Sequence, residues 1–186
     1  KKAIEKGADG LIAVAAGAGG HAGTTSPFAL IQEIREWYDG PVALSGSIST
    51  GDGVLSALAS GADFGYIGSA FIATKEANAS LGYKEAITKY NSDDIVYTDL
   101  VTGVKGNYLK PSLASAGFDP ENLPTSDPKN MDFSSQDGMD KKKAWKDIWG
   151  CGQGIGAVKN ILSCKELVEK INQEYNEAKN RLNKIA

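Results

Sequence analysis

The sequence predicts a parallel α/β sheet or barrel, and two observations carry that expectation. Three consecutive segments each read as an apolar strand, a glycine-bearing loop and a helix, the order that a run of βα units produces. At two of the strand ends stand Ser45-Gly46-Ser47 and Gly68-Ser69, small residues where a parallel barrel commonly holds a phosphate. A chain of 186 residues, 22 of them glycine, is long enough for one domain with a sizeable core.

In order, Lys1 to Lys6 read as the end of a helix with Gly7 just past it, and no start signal precedes Lys1, so the chain is expected to open inside an element. A buried strand spans about Gly10 to Ala16. The loop Gly17-Ala18-Gly19-Gly20-His21-Ala22-Gly23 follows, and Ser26-Pro27 opens a helix to about Tyr38, with Phe28, Ile31, Ile34 and Trp37/Tyr38 at helical spacing. Asp39-Gly40-Pro41 ends it. Val42-Ala43-Leu44 is the second strand, and Val54, Leu55, Leu58 and Ala59 give the next helix, begun near Thr50-Gly51-Asp52-Gly53, its apolar side. Phe64 to Ile67 is the third strand.

The later half changes character. Glu76 to Tyr90 is expected to be helical, Asp94 to Thr98 a short strand or extended segment, and Pro111 to Ala116 a short helix. From Asp119 to Asp140, Pro, Asp, Ser and Asn dominate, which reads as an irregular excursion. Order returns with Ala144 to Trp149 and a second glycine cluster, Gly150 to Gly156. The closing helix starts at Ser163 with Glu166 three residues on, a capping box, and carries Leu167, Val168, Ile171, Tyr175, Ala178 and Leu182 on one face. Two segments are expected: 1–90, a partial barrel, and 91–186, the excursion and a helical carboxy-terminal part packed on it.

A net charge of −3 argues against a large nucleic-acid surface, and Lys141-Lys142-Lys143 then reads as a solvated helix start. No apolar stretch approaches the roughly 20 residues that span a bilayer, and Lys1 to Lys6 lacks an apolar signal core, so a soluble cytoplasmic protein is expected. Cys151 and Cys164 have no metal-ligand spacing and read as small buried thiols.

The first loop carries the only histidine of the chain at the end of a strand. Glycines there let another molecule approach the main chain, and an imidazole titrates near neutrality, so the combination suits a cofactor beside a proton-transfer group. At the next two strand ends, N–H groups and hydroxyls would face a phosphate, with the helix start at Thr50 to Gly53 adding its positive end. If these are the last two barrel strands, Leu11 to Ala16 is the sixth.

Ala18-Gly19-Gly20-His21-Ala22-Gly23, Pro41 to Ile48, Gly61-Ala62-Asp63 and Tyr66-Ile67-Gly68-Ser69-Ala70-Phe71 are similar, in that order, to motifs of the nitronate monooxygenase family, formerly called 2-nitropropane dioxygenases. Trp145 to Gly156 also resembles that family. The resemblance covers the second part of a family member and implies an FMN-dependent (β/α)8 TIM-type barrel, of which this chain holds about strands 6–8 and a mainly helical carboxy-terminal extension, with some five strands lying upstream. It implies that His21 is the active-site histidine. It places Val14, Gly19, Gly20 and Tyr66 beside the flavin, and Gly46, Ser47, Gly68 and Ser69 at its phosphate. Ser47 stands where the family has glycine, Ser69 where it has threonine, Val14 where a polar residue is common and Gly17 where glutamate is.

The implied activity is oxidation of alkyl nitronates by O2 to a carbonyl compound and nitrite. The alternatives are an FMN-dependent enoyl-thioester reductase and a non-catalytic phosphate-binding or assembly module. No metal is expected. Three strands cannot close a barrel. Barrel strands are buried on both faces, so the chain is expected to pair with an amino-terminal half or a further copy of itself rather than bind FMN as a monomer.

Overall fold

The computed structural model describes residues 1–124 and 147–185. Most of the Asp119–Asp140 excursion, Lys141 to Lys143 and the start of the Ala144–Trp149 segment lie outside them. A single-turn helix α1 (Lys2–Glu5) precedes β1 (Leu11–Val14), a two-residue strand β2 (Gly20–His21) and α2 (Pro27–Arg35). Then come β3 (Val42–Ser45), α3 (Gly51–Ala59), β4 (Phe64–Tyr66), α4 (Ser69–Ile72) and α5 (Leu81–Lys89). The rest is β5 (Ile95–Thr98), β6 (Gly106–Leu109), α6 (Lys110–Ser115) and the long α7 (Cys164–Asn183).

The three βα units form a parallel sheet in the order β1-β3-β4, with Ala13 opposite Leu44 and Leu44 opposite Gly65. Side chains alternate across a strand. Ala13, Val42 and Leu44 therefore turn to one face, where they bury against Ile31 of α2 and Ala57 of α3. Burying a side chain the size of Ile31 or Leu44 contributes about 1.5–3 kcal/mol. The other face carries two cross-strand rows, Ile12–Ala43–Phe64 and Val14–Ser45–Tyr66. In this chain that face is open: Ile12 is 58 % and Phe64 60 % exposed.

A second, antiparallel sheet runs β2-β6-β5, pairing Gly20 with Asn107 and His21 with Gly106. The sequence places Gly20 and His21 in a βα loop. The structure pins them instead to a strand from the later half, so the segments 1–90 and 91–186 share a sheet.

Two helices are shorter than their apolar patterns. In α2 the Arg35 guanidinium donates to the carbonyl of Gly40 at 2.7 Å, in the turn before β3, and to that of Gly61, in the turn before β4. Glu76, expected to open α5, instead accepts from the Cys164 N–H at 2.9 Å at the start of α7, and Ser80 caps α5. Cys164 is therefore only half-buried, while Cys151 is fully buried.

The capping box of α7 forms as its sequence predicts: the Ser163 hydroxyl accepts from the Glu166 N–H, and the Glu166 carboxylate accepts from the Ser163 N–H. This helix lies on α3, so close that a Cβ at Gly51 would collide with the Tyr175 nitrogen. Glu174 accepts from the Gly51 N–H at 3.0 Å, and Arg181 pairs with Asp52. Of the apolar face, Leu167 and Ala178 are buried, while Val168 and Leu182 remain exposed.

Candidate functional site

A cavity of about 300 Å³ lies where the strand ends of the parallel sheet meet the second glycine cluster. It is lined by Gly19 and Gly20 of the first loop, Gly46 and Ser47 of the second, and Tyr66, Gly68 and Ser69 of the third. Ile72, Tyr83, Gly150, Gly152 and Gly154 close its far side. Seven of the nine residues singled out in the sequence thus share one wall. Val14 and His21 stand outside it: Val14 on the open sheet face beside Ser45, His21 on β2.

Most of these glycines serve the protein's own packing. The Gly17 carbonyl accepts from the N–H of Ser47 at 3.2 Å and of Gln153 at 2.9 Å, tying three loops together. A Cβ on Gly19 would stand 2.7 Å from the Gly152 nitrogen, and one on Gly106 the same distance from the Gly20 carbonyl oxygen. Ser47 has φ +58°, a left-handed conformation that an L-residue adopts at a cost of about 1–2 kcal/mol.

Gly68 differs. Its φ is −112°, open to any residue, and beyond its two chain neighbours no atom of the described residues lies within 4 Å of where its Cβ would be. Nothing in the described residues requires a glycine there, so the space it leaves belongs to the cavity.

Three N–H donors expected at this site are already engaged. The Ser47 N–H goes to Gly17, and the N–H groups at the start of α3 turn to Glu174 and to the Thr50 hydroxyl. A carboxylate therefore occupies the positive end of α3 that the sequence offers to a phosphate. The Ser69 hydroxyl accepts from the Gly152 N–H at 2.8 Å, which leaves its own proton to donate.

Tyr83 stacks on Trp149, ring centroids 5.1 Å apart, and its hydroxyl donates to the Gly150 carbonyl. Burial pushes its phenol up, and Cys151 adds to the shift. Burial likewise pushes the Cys151 thiol up to about 12, which keeps it unreactive near neutrality.

His21 is exposed, and its Nε2 lies 2.7 Å from the Thr102 hydroxyl. Beneath it, the buried Asn107 side chain donates to the Ala18 carbonyl at 2.7 Å, locking β6 under the glycine loop. Sequence reasoning misses Thr102 and Asn107. An asparagine between Gly106 and Tyr108 in an otherwise apolar segment is the available signal for the second; for Thr102, distant in sequence from its partner, no local signal exists.

The sequence model of the nitronate monooxygenase family matches residues 1–174. The chain belongs to the nitronate monooxygenase family. It is 26 % identical to a nitronate monooxygenase of Paraburkholderia phytofirmans over 97 % of its own length and 52 % of that protein's. Among solved structures it is similar to a nitroalkane oxidase of Streptomyces ansochromogenes, with 29 % identity, a TM-score of 0.75, and coverage of 97 % of this chain and 56 % of that one. FabK of Thermotoga maritima gives 25 % identity and a TM-score of 0.77, covering all of this chain and 60 % of that one. The chain spans about half the length of the curated relatives it matches. Its βα units and helical carboxy-terminal part are thus a portion of a TIM-type barrel from an oxidoreductase family. Among the described residues, no helix is long and apolar enough to cross a membrane.

Proposed function

We propose that this chain forms the phosphate and histidine side of an FMN site, in an enzyme that oxidises alkyl nitronates with O2 to a carbonyl compound and nitrite. The observation that supports it most is the open space at Gly68, in a cavity rimmed by three strand-end loops. A flavin phosphate fits that donor set: the Ser69 hydroxyl proton, the Ser47 hydroxyl and the backbone about Gly46 and Gly68. Gly19, Gly20 and Tyr66 would flank the rest of the cofactor, and Val14 would give its substrate side an apolar wall.

The flavin supplies the electron transfer when bound. His21 manages the proton: it takes one from a neutral nitroalkane, or as a cation orients a nitronate already ionised. Its exposed position on β2, next to Gly20 of the cavity lining, leaves the ring accessible to a small substrate.

Replacing Gly68 with valine tests the cofactor reading, because its backbone tolerates a side chain and the added methyls enter the cavity. Gly68→Val is expected to fold normally and lose FMN on extensive dialysis; undiminished flavin absorbance would overturn the assignment. His21→Ala is expected to retain FMN and lose about a hundredfold or more in turnover of neutral nitroalkane, and less on pre-ionised nitronate if the ring is a base. Oxidation of NAD(P)H by an enoyl thioester, with no activity on nitronate, would instead favour the reductase alternative.

A further inference from the structure

The surroundings of His21 distinguish its two nitrogens, and the role this gives the ring rests on the proposed function. Thr102 sits in the turn between β5 and β6, and that turn is fixed independently of the histidine. The Thr98 hydroxyl accepts from the Leu100 N–H at 3.1 Å, the Gly103 N–H donates to the Asp99 carbonyl at 2.7 Å, and Gly103 has φ +74°.

A hydroxyl has one proton and two lone pairs. The Val104 carbonyl, 3.1 Å from the Thr102 oxygen, can only accept, so the proton points there. The Val104 N–H approaches one lone pair at 3.3 Å. The other faces Nε2 of His21 at 2.7 Å, and that contact is a hydrogen bond only if the ring donates. Thr102 then gives one bond and receives two, with the buried Tyr108 hydroxyl also facing it, while Nδ1 of His21 makes no hydrogen bond among the described residues.

We infer that Thr102 is a positioning residue that keeps the proton on Nε2 and so makes Nδ1 the nitrogen that exchanges a proton with an alkyl nitro substrate. In that step the C–H bond on the carbon bearing the nitro group breaks and its electron pair moves onto the nitro group. The proton forms a bond to Nδ1, and the imidazole becomes imidazolium. Nε2 remains a donor throughout, and its bond to Thr102 strengthens once the ring is charged. Acting on a nitronate instead, the protonated Nδ1 would donate to the anion.

The chain's one histidine makes the test direct. In ¹⁵N-labelled, flavin-loaded protein, with the ring resonances assigned by their loss in His21→Ala, the neutral ring is expected as the Nε2–H form, with that proton protected from exchange. Thr102→Val is expected to lose the protected proton and about tenfold in kcat on neutral nitroalkane, with FMN retention and KM within about twofold. Thr102→Ser is expected to restore both. An Nδ1–H ring in the unmodified protein overturns the inference, as does a Thr102→Val protein with unchanged spectrum and turnover. If His21→Ala keeps its turnover, the proposed function fails, while the ring spectrum still decides the geometry at Thr102.

Discussion

The two sheets of this protein hold the two halves of the candidate site by different means. The parallel sheet links neighbours in the chain: each strand feeds a loop and a helix, and the cavity forms because three such loops end at one level. The antiparallel sheet links Gly20 and His21 to residues that follow some 85 positions later, and it holds them through backbone contact without side chains between. The strand-end wall of the cavity is thus a product of local repetition, whereas the histidine is set by a distant strand. Damage to either should leave a recognisable remainder of the other.

The largest effect is expected at the joint between them. In Gly106→Val the new side chain meets the Gly20 carbonyl, and main chain cannot swing aside as a side chain can. Overpacking of this kind costs about 3 kcal/mol, which urea denaturation would read directly. The same change at Gly68 should shift stability by under about 0.5 kcal/mol while releasing flavin, because no protein atom is displaced there. If both variants lose equal stability, the two sheets are one cooperative unit and the distinction between them fails.

The smallest effect sharpens the description of the parallel side. Ser47→Gly relieves a left-handed serine but adds freedom to the unfolded chain, so a net gain of about 0.5 kcal/mol is expected. A loss of stability in the same denaturation experiment would show that the Ser47 hydroxyl, seated over Gly17, holds the loops more strongly than its backbone strains them.

The same contrast explains what could be read from the residues. The three βα units, the α7 capping box and the small strand ends are written in short stretches, where periodicity and turn chemistry act over a few positions. The resemblance to nitronate monooxygenases added the roles proposed for Gly46, Ser47, Gly68, Ser69 and His21. What escaped the sequence depends on partners far along the chain. Glu76 gave its carboxylate to α7 instead of opening α5, Glu174 took the positive end of α3, and Thr102 met His21 across the second sheet. The glycines divide for a related reason. A Cβ on Gly19 would meet Cys151 and Gly152, and only coordinates distinguish it from Gly68, whose missing side chain leaves open space.

The seat of α7 on α3 also orders events in time. Gly51 and Asp52 belong to the second βα unit, yet the carboxylate and guanidinium that complete them, on Glu174 and Arg181, are synthesised more than 120 residues later. During translation the strand-end loops can take shape early, but the helix behind the middle one stays without its final clasp until Glu174 and Arg181 have been made. That clasp is therefore a late step of folding, and replacing Glu174 and Arg181 together would leave the strand-end loops resting on a loosened back wall.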